Sequence, residues 1–203
     1  MDGTLAVFLA IAFVFWFYEN VLKTRIEVCF VTMDNTTCSN LNNARNHGTR
    51  CESKYCPEKL MSKIAKVIDL AQHSIDIAMY NLTNHKIVGS ILGARKRNID
   101  VRLIMDRSAL EGLDNHTAFI SLKTAGVHIK IAGEEKKLMH HKFCLIDTNR
   151  WINVGMIISG SLNWTYGGFN QNCENVTFIE NRFTQNEYNE TFNHIWSKIA
   201  KPI

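Results

Sequence analysis

One short segment of the chain carries residue types that suit phosphoryl chemistry. His140 and Lys142 lie in the sequence MHHKFCLID, which matches the pattern HxKxxxxD and ends at Asp147. Residues two apart on a strand project from the same face, so the imidazole and the ammonium can meet one phosphate, whereas Asp147 projects from the opposite face. An imidazole can act as nucleophile or proton donor near neutral pH, and an ammonium beside it neutralises phosphate charge.

A second segment, GSLNWT followed by Glu174, offers the groups that such a site still needs. Ser161 and Asn163 are again two residues apart and supply hydrogen-bond donors for non-bridging phosphate oxygens. Glu174 is suited to holding the imidazole in one tautomer. An isolated HxK sequence is usually only a polar loop before a buried strand, because short motifs often match by chance. The second segment favours a phosphodiester-cleaving site instead.

These segments together resemble the phospholipase D superfamily, and within it the mitochondrial Zucchini or cardiolipin hydrolase type. The resemblance covers roughly Ile64 to Trp196. It implies a phospholipase D-like mixed sheet flanked by helices, and it implies no catalytic metal. The segment between the two motifs, residues 148–159, is longer than the short hairpin typical of the family, so the chain departs there from the pattern that sets the register of one motif against the other.

The resemblance also implies a role for each residue of the site. Its catalytic set comprises His140, Lys142, Asp147, Asn163 and Glu174. In this set His140 would form a phosphohistidine, with Glu174 as its partner. The phosphate contacts would come from Lys142, Ser161 and Asn163. Asp147 would be a structural or orienting residue.

The order of apolar patterns predicts an α/β domain. A chain of 203 residues with 46% apolar content is enough for one domain with a sizeable core. Alternating and buried apolar runs predict strands, and runs with a helical period predict helices between them. The predicted strands are 26–33, 74–80, 101–106, 127–131, the motif strand, 152–159 and 176–179. The predicted helices are 57–72, 85–97, 116–124 and 183–199.

The N-terminus is predicted to be a membrane anchor, residues 1–22, ahead of the catalytic domain, residues 23–203. Residues 4–18 are uncharged, and a helix of that length rises about 22 Å, short for a hydrocarbon core of about 30 Å. The acidic Asp2 before it and the aromatic residues 16–18 at its end favour an uncleaved transmembrane helix over a cleaved signal peptide. Lys23 and Arg25 then keep the domain cytosolic. The resemblance places this anchor in the mitochondrial outer membrane.

A small insert, residues 38–56, is predicted to bind a structural zinc ion. It contains Cys38, His47, Cys51 and Cys56, and thiolates with an imidazole suit tetrahedral zinc. The spacing differs from that of a standard zinc finger. The alternatives are a flexible loop with incidental cysteines, or disulfides. The resemblance supports zinc, because some mitochondrial members carry a small Cys/His zinc insert.

The charge of the chain suits a polyanionic substrate. The net charge is only +4, yet basic residues occur in segments predicted to surround the cleft. These residues are Arg45, Arg50, Lys54, Arg95, Lys96, Arg97, Arg107, Lys136 and Lys137. Composition does not distinguish single-stranded nucleic acid from an anionic phospholipid.

Three functions follow from the sequence. The favoured one is an endoribonuclease that cuts single-stranded RNA, which by resemblance would serve piRNA biogenesis with proteins of that pathway as partners. The alternative is hydrolysis of cardiolipin to phosphatidic acid. A remote alternative is a non-catalytic mitochondrial tether, which the presence of the whole catalytic set disfavours.

The single motif predicts a homodimer. A phosphohistidine mechanism uses one imidazole to attack and a second to protonate the leaving oxygen. This chain has one HxKxxxxD sequence, whereas two-motif members of the superfamily carry both in one chain. A twofold dimer would place two copies of His140 across one shared cleft.

Overall fold

A mixed β-sheet forms the centre of the molecule. The computed structural model describes residues 3–18, 24–32, 51–111, 113–134, 136–149 and 154–203. Within those ranges the sheet has eight strands in the order β1-β7-β6-β5-β2-β3-β4-β8. The strands are β1 (Arg25–Val31), β2 (Ser74–Met79), β3 (Asp100–Asp106), β4 (His128–Ala132), β5 (Lys142–Ile146), β6 (Met156–Gly160), β7 (Glu174–Glu180) and β8 (Lys201–Pro202).

Helices connect and cover these strands. They are α1 (Gly3–Phe17), α2 (Pro57–Asp69), α3 (His85–Lys96), α4 (Leu113–Thr124), α5 (Tyr166–Asn170) and α6 (Arg182–His194), with a 3₁₀ turn at Ser108–Glu111 and a π-helical turn at Ile195–Ile199. Helix α2 begins with a proline, whose missing N–H costs nothing there, and the Asn84 side chain caps α3 by accepting from two backbone amides. The predicted order of helices and strands is confirmed, whereas α5 and β8 were not predicted.

The sheet combines a parallel and an antiparallel half. Strands β2, β3 and β4 are parallel and are joined by the crossover helices α3 and α4, while β5, β6, β7 and β1 pair antiparallel. Every residue of β2 is buried, as expected for a strand covered on both faces. The predicted class, a phospholipase D-like α/β fold with a mixed sheet flanked by helices, is therefore correct.

Each face of the sheet has its own hydrophobic core. On one face Ile64 of α2 and Ile91 of α3 pack against alternate strand residues such as Ile77. On the other face Phe192 of α6 packs with Phe143 and other strand residues. The two cores fix both layers of helices on the strands that carry the motif residues.

The predicted N-terminal anchor is helical over Gly3–Phe17. Within the described residues, no helix combines the length and the apolar character required to cross a membrane. The transmembrane helix expected from the sequence is thus not found there.

The predicted zinc insert lies mostly outside the described residues. This is the case for Cys38 and His47, so the structure does not test them as ligands. Cys51 and Cys56 are described, and both are buried. Cys56 directly precedes α2 at Pro57.

Candidate active site

The motif residues converge at one end of the sheet. Strand β2 finishes at Met79, opposite Lys142 at the start of β5, and the Tyr80 amide donates to the His141 carbonyl at 3.0 Å. Strand β6 finishes and β7 begins at this same end, which brings Ser161 beside Glu174. We call it the site end of the sheet.

The long connection between the two motifs leaves their register intact. Strands β5 and β6 pair with Phe143 opposite Ser159 and Ile146 opposite Met156. The long connection between β5 and β6 therefore leaves β5 at the end of the sheet opposite the site end. Its length does not separate the motifs.

His140 and Lys142 are in direct contact. The Lys142 Nζ atom lies 3.2 Å from His140 Nδ1 and 3.3 Å from Nε2, and it donates to the His140 carbonyl oxygen at 2.9 Å. The imidazole is exposed, as a nucleophile must be. Burial lowers the pKa of Lys142, and the negative charge of Glu174 partly opposes that shift. An ammonium is thus held beside an accessible imidazole.

Two residues that the sequence did not single out position His140. The Tyr80 ring packs on the His140 ring with centroids 4.7 Å apart. The carboxylate of Asp106 is buried and accepts from the backbone amide of Met139, the residue before His140, at 2.6 Å. Asp106 also accepts from the Ser108 amide at 2.9 Å. A polar residue ending a buried strand was the available signal for Asp106.

Ser161 and Glu174 form a hydrogen-bonded pair. The Ser161 hydroxyl donates to Glu174, and Asn172 donates to the other Glu174 oxygen at 2.9 Å. A side chain on Gly160 would lie 2.1 Å from the Asn175 carbonyl oxygen, so glycine is required for β6 and β7 to approach here. In the described part of one chain, Ser161 and Asn172 are the hydrogen-bond partners of Glu174, and the predicted contact to His140 is not formed.

Asn163 is held in place by its backbone and keeps an unused side-chain group. Its carbonyl oxygen accepts from the Thr165 amide at 2.9 Å, and the neighbouring Trp164 is buried and donates its amide to Asn81. Among the described residues, the Asn163 Oδ1 atom is buried without a hydrogen-bond partner. A buried amide with spare hydrogen-bonding capacity suits a ligand-binding position.

Asp147 lies apart from the other predicted site residues. Five residues of extended chain separate it from Lys142, about 16 Å at strand geometry. Its carboxylate accepts from three backbone amides before β2, those of Gln72, His73 and Ser74, at 2.9, 2.7 and 2.9 Å. This geometry gives Asp147 an orienting role, in which it fixes the start of β2 against the end of β5.

A pocket opens beside the motif on the α6 side of the sheet. It has a volume of about 340 Å³. The lining residues are His140, His141, Lys142, Phe143, Ser159, Gly160, Glu187, Tyr188 and Thr191. Burial lowers the pKa of His141, and the charges of Lys142 and His140 lower it further. The pocket thus combines the charged side chains of Glu187 and Lys142 with the aromatic rings of Phe143 and Tyr188.

The basic residues predicted around the cleft divide into two groups. Lys54, Arg107, Lys136 and Lys137 are exposed in segments at the site end. Arg95, Lys96 and Arg97 are not there, because α3 starts at the site end and runs about 18 Å away from it before reaching them. Their predicted place near the cleft was wrong. Arg45 and Arg50 lie outside the described residues.

Comparison with known proteins decides the family. The family described as "Cardiolipin synthase, PLD-like domain" matches residues 64–196. The chain belongs to the phospholipase D superfamily of phosphodiesterase hydrolases. The predicted resemblance is thus confirmed, and the matched region contains every residue of the predicted catalytic set.

Relatives within the superfamily carry a mitochondrial name. The "Mitochondrial cardiolipin hydrolase" of Drosophila melanogaster is 27% identical over 165 residues, covering 74% of this chain and 64% of the relative. The protein of the same name from Danio rerio is 25% identical over 198 residues, covering 96% and 84%. The chain therefore spans slightly less than two thirds of the Drosophila relative and more of the Danio one.

A solved structure supports the fold. Nuc from Salmonella typhimurium, a phospholipase D family member, superposes with a TM-score of 0.64 at 19% identity. The match covers 89% of this chain and 99% of that chain. The likeness extends over nearly all of the bacterial protein, so the sheet and its covering helices share its fold.

Proposed function

We propose that the chain hydrolyses phosphodiesters through a phosphohistidine on His140, and that its substrate is single-stranded RNA. The observation that carries this proposal is the exposed His140 imidazole with the Lys142 ammonium within 3.3 Å of both ring nitrogens. Such a pair can attack a phosphorus atom and neutralise the charge that develops on its oxygens.

The proposed reaction has two steps. A nitrogen of His140 attacks phosphorus, a P–N bond forms, and the P–O bond to the leaving group breaks while a second imidazole protonates the leaving oxygen. That second imidazole then removes a proton from water, which attacks phosphorus and breaks the P–N bond. Lys142 and the amide of Asn163 would hold the non-bridging oxygens. Ser161 would reach the same oxygens once its hydroxyl turns from Glu174.

A second copy of the chain would supply the second imidazole. Each described chain contributes one His140 to its own site end, and Glu174 is occupied by Ser161 and Asn172 rather than by that imidazole. A twofold dimer would let the two site ends share one phosphate. Adding His140→Asn subunits under exchange conditions should lower the activity per wild-type subunit. Unchanged specific activity despite proven exchange would contradict the shared site.

Basic side chains at the site end support RNA as substrate. Arg107, Lys136 and Lys137 are exposed there and can follow a phosphate backbone beyond the scissile group. By resemblance to Zucchini, the RNA would be a piRNA precursor delivered by proteins of that pathway. Cardiolipin is the second candidate. It is favoured by an apolar surface beside the active site, which is described below, and by the names of the relatives.

We further propose that α1 inserts into the mitochondrial outer membrane and that the catalytic domain faces the cytosol. The apolar composition of α1 and the mitochondrial names of the relatives support this location. A structural zinc ion in the insert is also proposed. Cys51 and Cys56 are buried near the start of α2, and two thiols fit half of a tetrahedral zinc site.

The substrate is tested by direct comparison. The purified full chain is assayed on end-labelled single-stranded RNA and on cardiolipin vesicles, with His140→Asn as the inactive variant and the exposed His128→Asn as a matched control. RNA cleavage by wild type and His128→Asn, but not by His140→Asn, is expected. Release of phosphatidic acid without RNA cleavage would select the lipid instead. No turnover of either substrate would contradict the proposal.

A further inference from the structure

The edge strand β1 exposes a row of apolar side chains. Ile26, Val28 and Phe30 are 61%, 48% and 50% exposed, respectively. Since alternate residues of a strand share one face, the three form a single stripe, which we call the β1 stripe. The opposite face of the strand ends in Val31, which is buried in the core. Only the Val31 end of that opposite face is buried in the core, and within the described residues the β1 stripe has no comparable cover.

The β1 stripe reaches the site end of the sheet. In the pairing of β1 with β7, Ile26 lies opposite Ile179 and Phe30 lies opposite Asn175. The next pair is Val31 with Glu174, at the site end of the sheet. The stripe thus runs along one face of the sheet from the start of β1 to the site end, where the next pair, Val31 and Glu174, projects from the opposite face.

The helix that precedes β1 needs an apolar environment on all sides. Residues 3–18 are all exposed, and the sequence GTLAVFLAIAFVFWF is apolar around the whole circumference of α1. A helix that covered the β1 stripe would need only one apolar face, whereas lipid surrounds every face of a helix. Trp16 and Tyr18 stand at the end nearer to β1, and such side chains favour the membrane–water interface.

The chain between α1 and β1 is short. Tyr18 and Thr24 are six residues apart in the sequence, which limits their separation to roughly 21 Å even when fully extended. If the aromatic end of α1 lies at the membrane interface, β1 must lie close to the same surface.

We infer that the β1 stripe docks on the surface of a lipid bilayer and holds the Glu174 end of the sheet at the level of the lipid headgroups. This inference rests on the membrane insertion of α1 proposed above, but not on the choice of substrate. Ile26, Val28 and Phe30 would enter the interface side by side. The active site would then meet phosphodiesters that are part of the membrane or are held at its surface.

The test uses fluorescence added by a single substitution in the full chain. Phe30→Trp is compared with Ile120→Trp, because Ile120 is 46% exposed on α4 and lies outside the stripe. Both variants are reconstituted in phosphatidylcholine vesicles with acyl chains brominated close to the headgroup. The signal of each variant is taken as its difference from wild type, which removes the contribution of the native tryptophans.

The expected result is that brominated lipid quenches the signal of Phe30→Trp at least about twofold more than that of Ile120→Trp, because a docked apolar face reaches the acyl boundary. Equal quenching of both variants would overturn the inference. Absent quenching with a blue-shifted emission would also overturn it, since the stripe would then be covered by α1 or by a second copy. A chain that fails to float with vesicles would contradict both the insertion of α1 and the docking of the β1 stripe. Flotation without quenching would contradict the docking alone.

Discussion

Replacing Asp147 should separate stability from catalysis. Its carboxylate accepts hydrogen bonds from three backbone amides, and its backbone has a left-handed φ of 55°. Asp147→Ala removes all three hydrogen bonds and leaves a side chain that is unfavourable at positive φ. Asp147→Asn keeps an oxygen acceptor and tolerates the left-handed conformation.

The size of the effect follows from the surroundings of the three amides. Ser74 is buried, so loss of its partner costs about 2 kcal/mol, whereas Gln72 and His73 are exposed and water can replace part of each bond, at about 0.5 kcal/mol apiece. The left-handed backbone adds about 1 kcal/mol for alanine. Asp147→Ala should therefore lower the free energy of unfolding by about 4 kcal/mol, which corresponds to a fall in Tm of about 8–16 °C for a domain of this size. Asp147→Asn should lose about 1–2 kcal/mol.

The assay combines thermal unfolding with phosphodiesterase rates measured well below the lower Tm. Asp147 lies about 16 Å from Lys142 along β5, so kcat per folded molecule should stay within about twofold of wild type. Asp147→Gly removes the hydrogen bonds but relieves the backbone, and should be about 1 kcal/mol more stable than Asp147→Ala. A large loss of kcat in Asp147→Asn with unchanged Tm would refute this reasoning and return Asp147 to the chemistry.

Three further predictions concern the glycine, the insert and the pocket. Gly160→Ala should lower the free energy of unfolding by about 1–3 kcal/mol and reduce activity, because the added methyl group would displace the strand that carries Glu174. An unchanged Tm and an unchanged rate would contradict this prediction. Cys51→Ser should lower the Tm and the zinc content measured by elemental analysis. Wild-type protein that contains no zinc would contradict the proposed structural zinc site. The lowered pKa of His141 means that the unfolded chain takes up its proton first as pH falls below about 6.5. Wild type should therefore lose stability relative to His141→Gln as the pH falls below about 6.5 in urea titrations, and parallel curves would refute that assignment.

Periodicity along the chain was sufficient to predict most of the fold. The fully buried β2 and the amphipathic α2 have strong patterns, and the helix–strand alternation implied the parallel half of the sheet. The short helix α5 was missed because GSLNWTYGG has no helical period. Its capping residue Thr165, which accepts from the Gly168 amide at 3.0 Å, was the local signal.

The site was predictable where two residues close in sequence act together. His140 directly precedes β5 and Lys142 begins it, and the two side chains lie in contact, as their spacing predicted. The long-range supports were missed, because Tyr80 reaches the motif through the pairing of β2 with β5, and Asp106 reaches it from the end of β3, both distant in sequence. Proximity in sequence also says little about Asp147, since strand β5 carries it to the opposite end of the sheet.

The direction of α3 explains the error about the basic surface. Arg95, Lys96 and Arg97 were grouped with the cleft by charge alone. A helix between two parallel strands must run back along the sheet, which takes its C-terminal residues away from the site end. The βαβ connection implied by the helix–strand alternation is therefore sufficient to place these residues far from the cleft.

The central claim is a covalent phosphohistidine on His140. The most direct measurement is rapid acid-free quenching of the full chain during turnover, followed by mass spectrometry of the peptide that carries residues 139–142. A phosphoryl adduct on His140 that is stable to base and lost in acid, and that forms and decays as fast as turnover, is expected. Full turnover without an adduct on His140, or an adduct that persists in His140→Asn, would contradict the account.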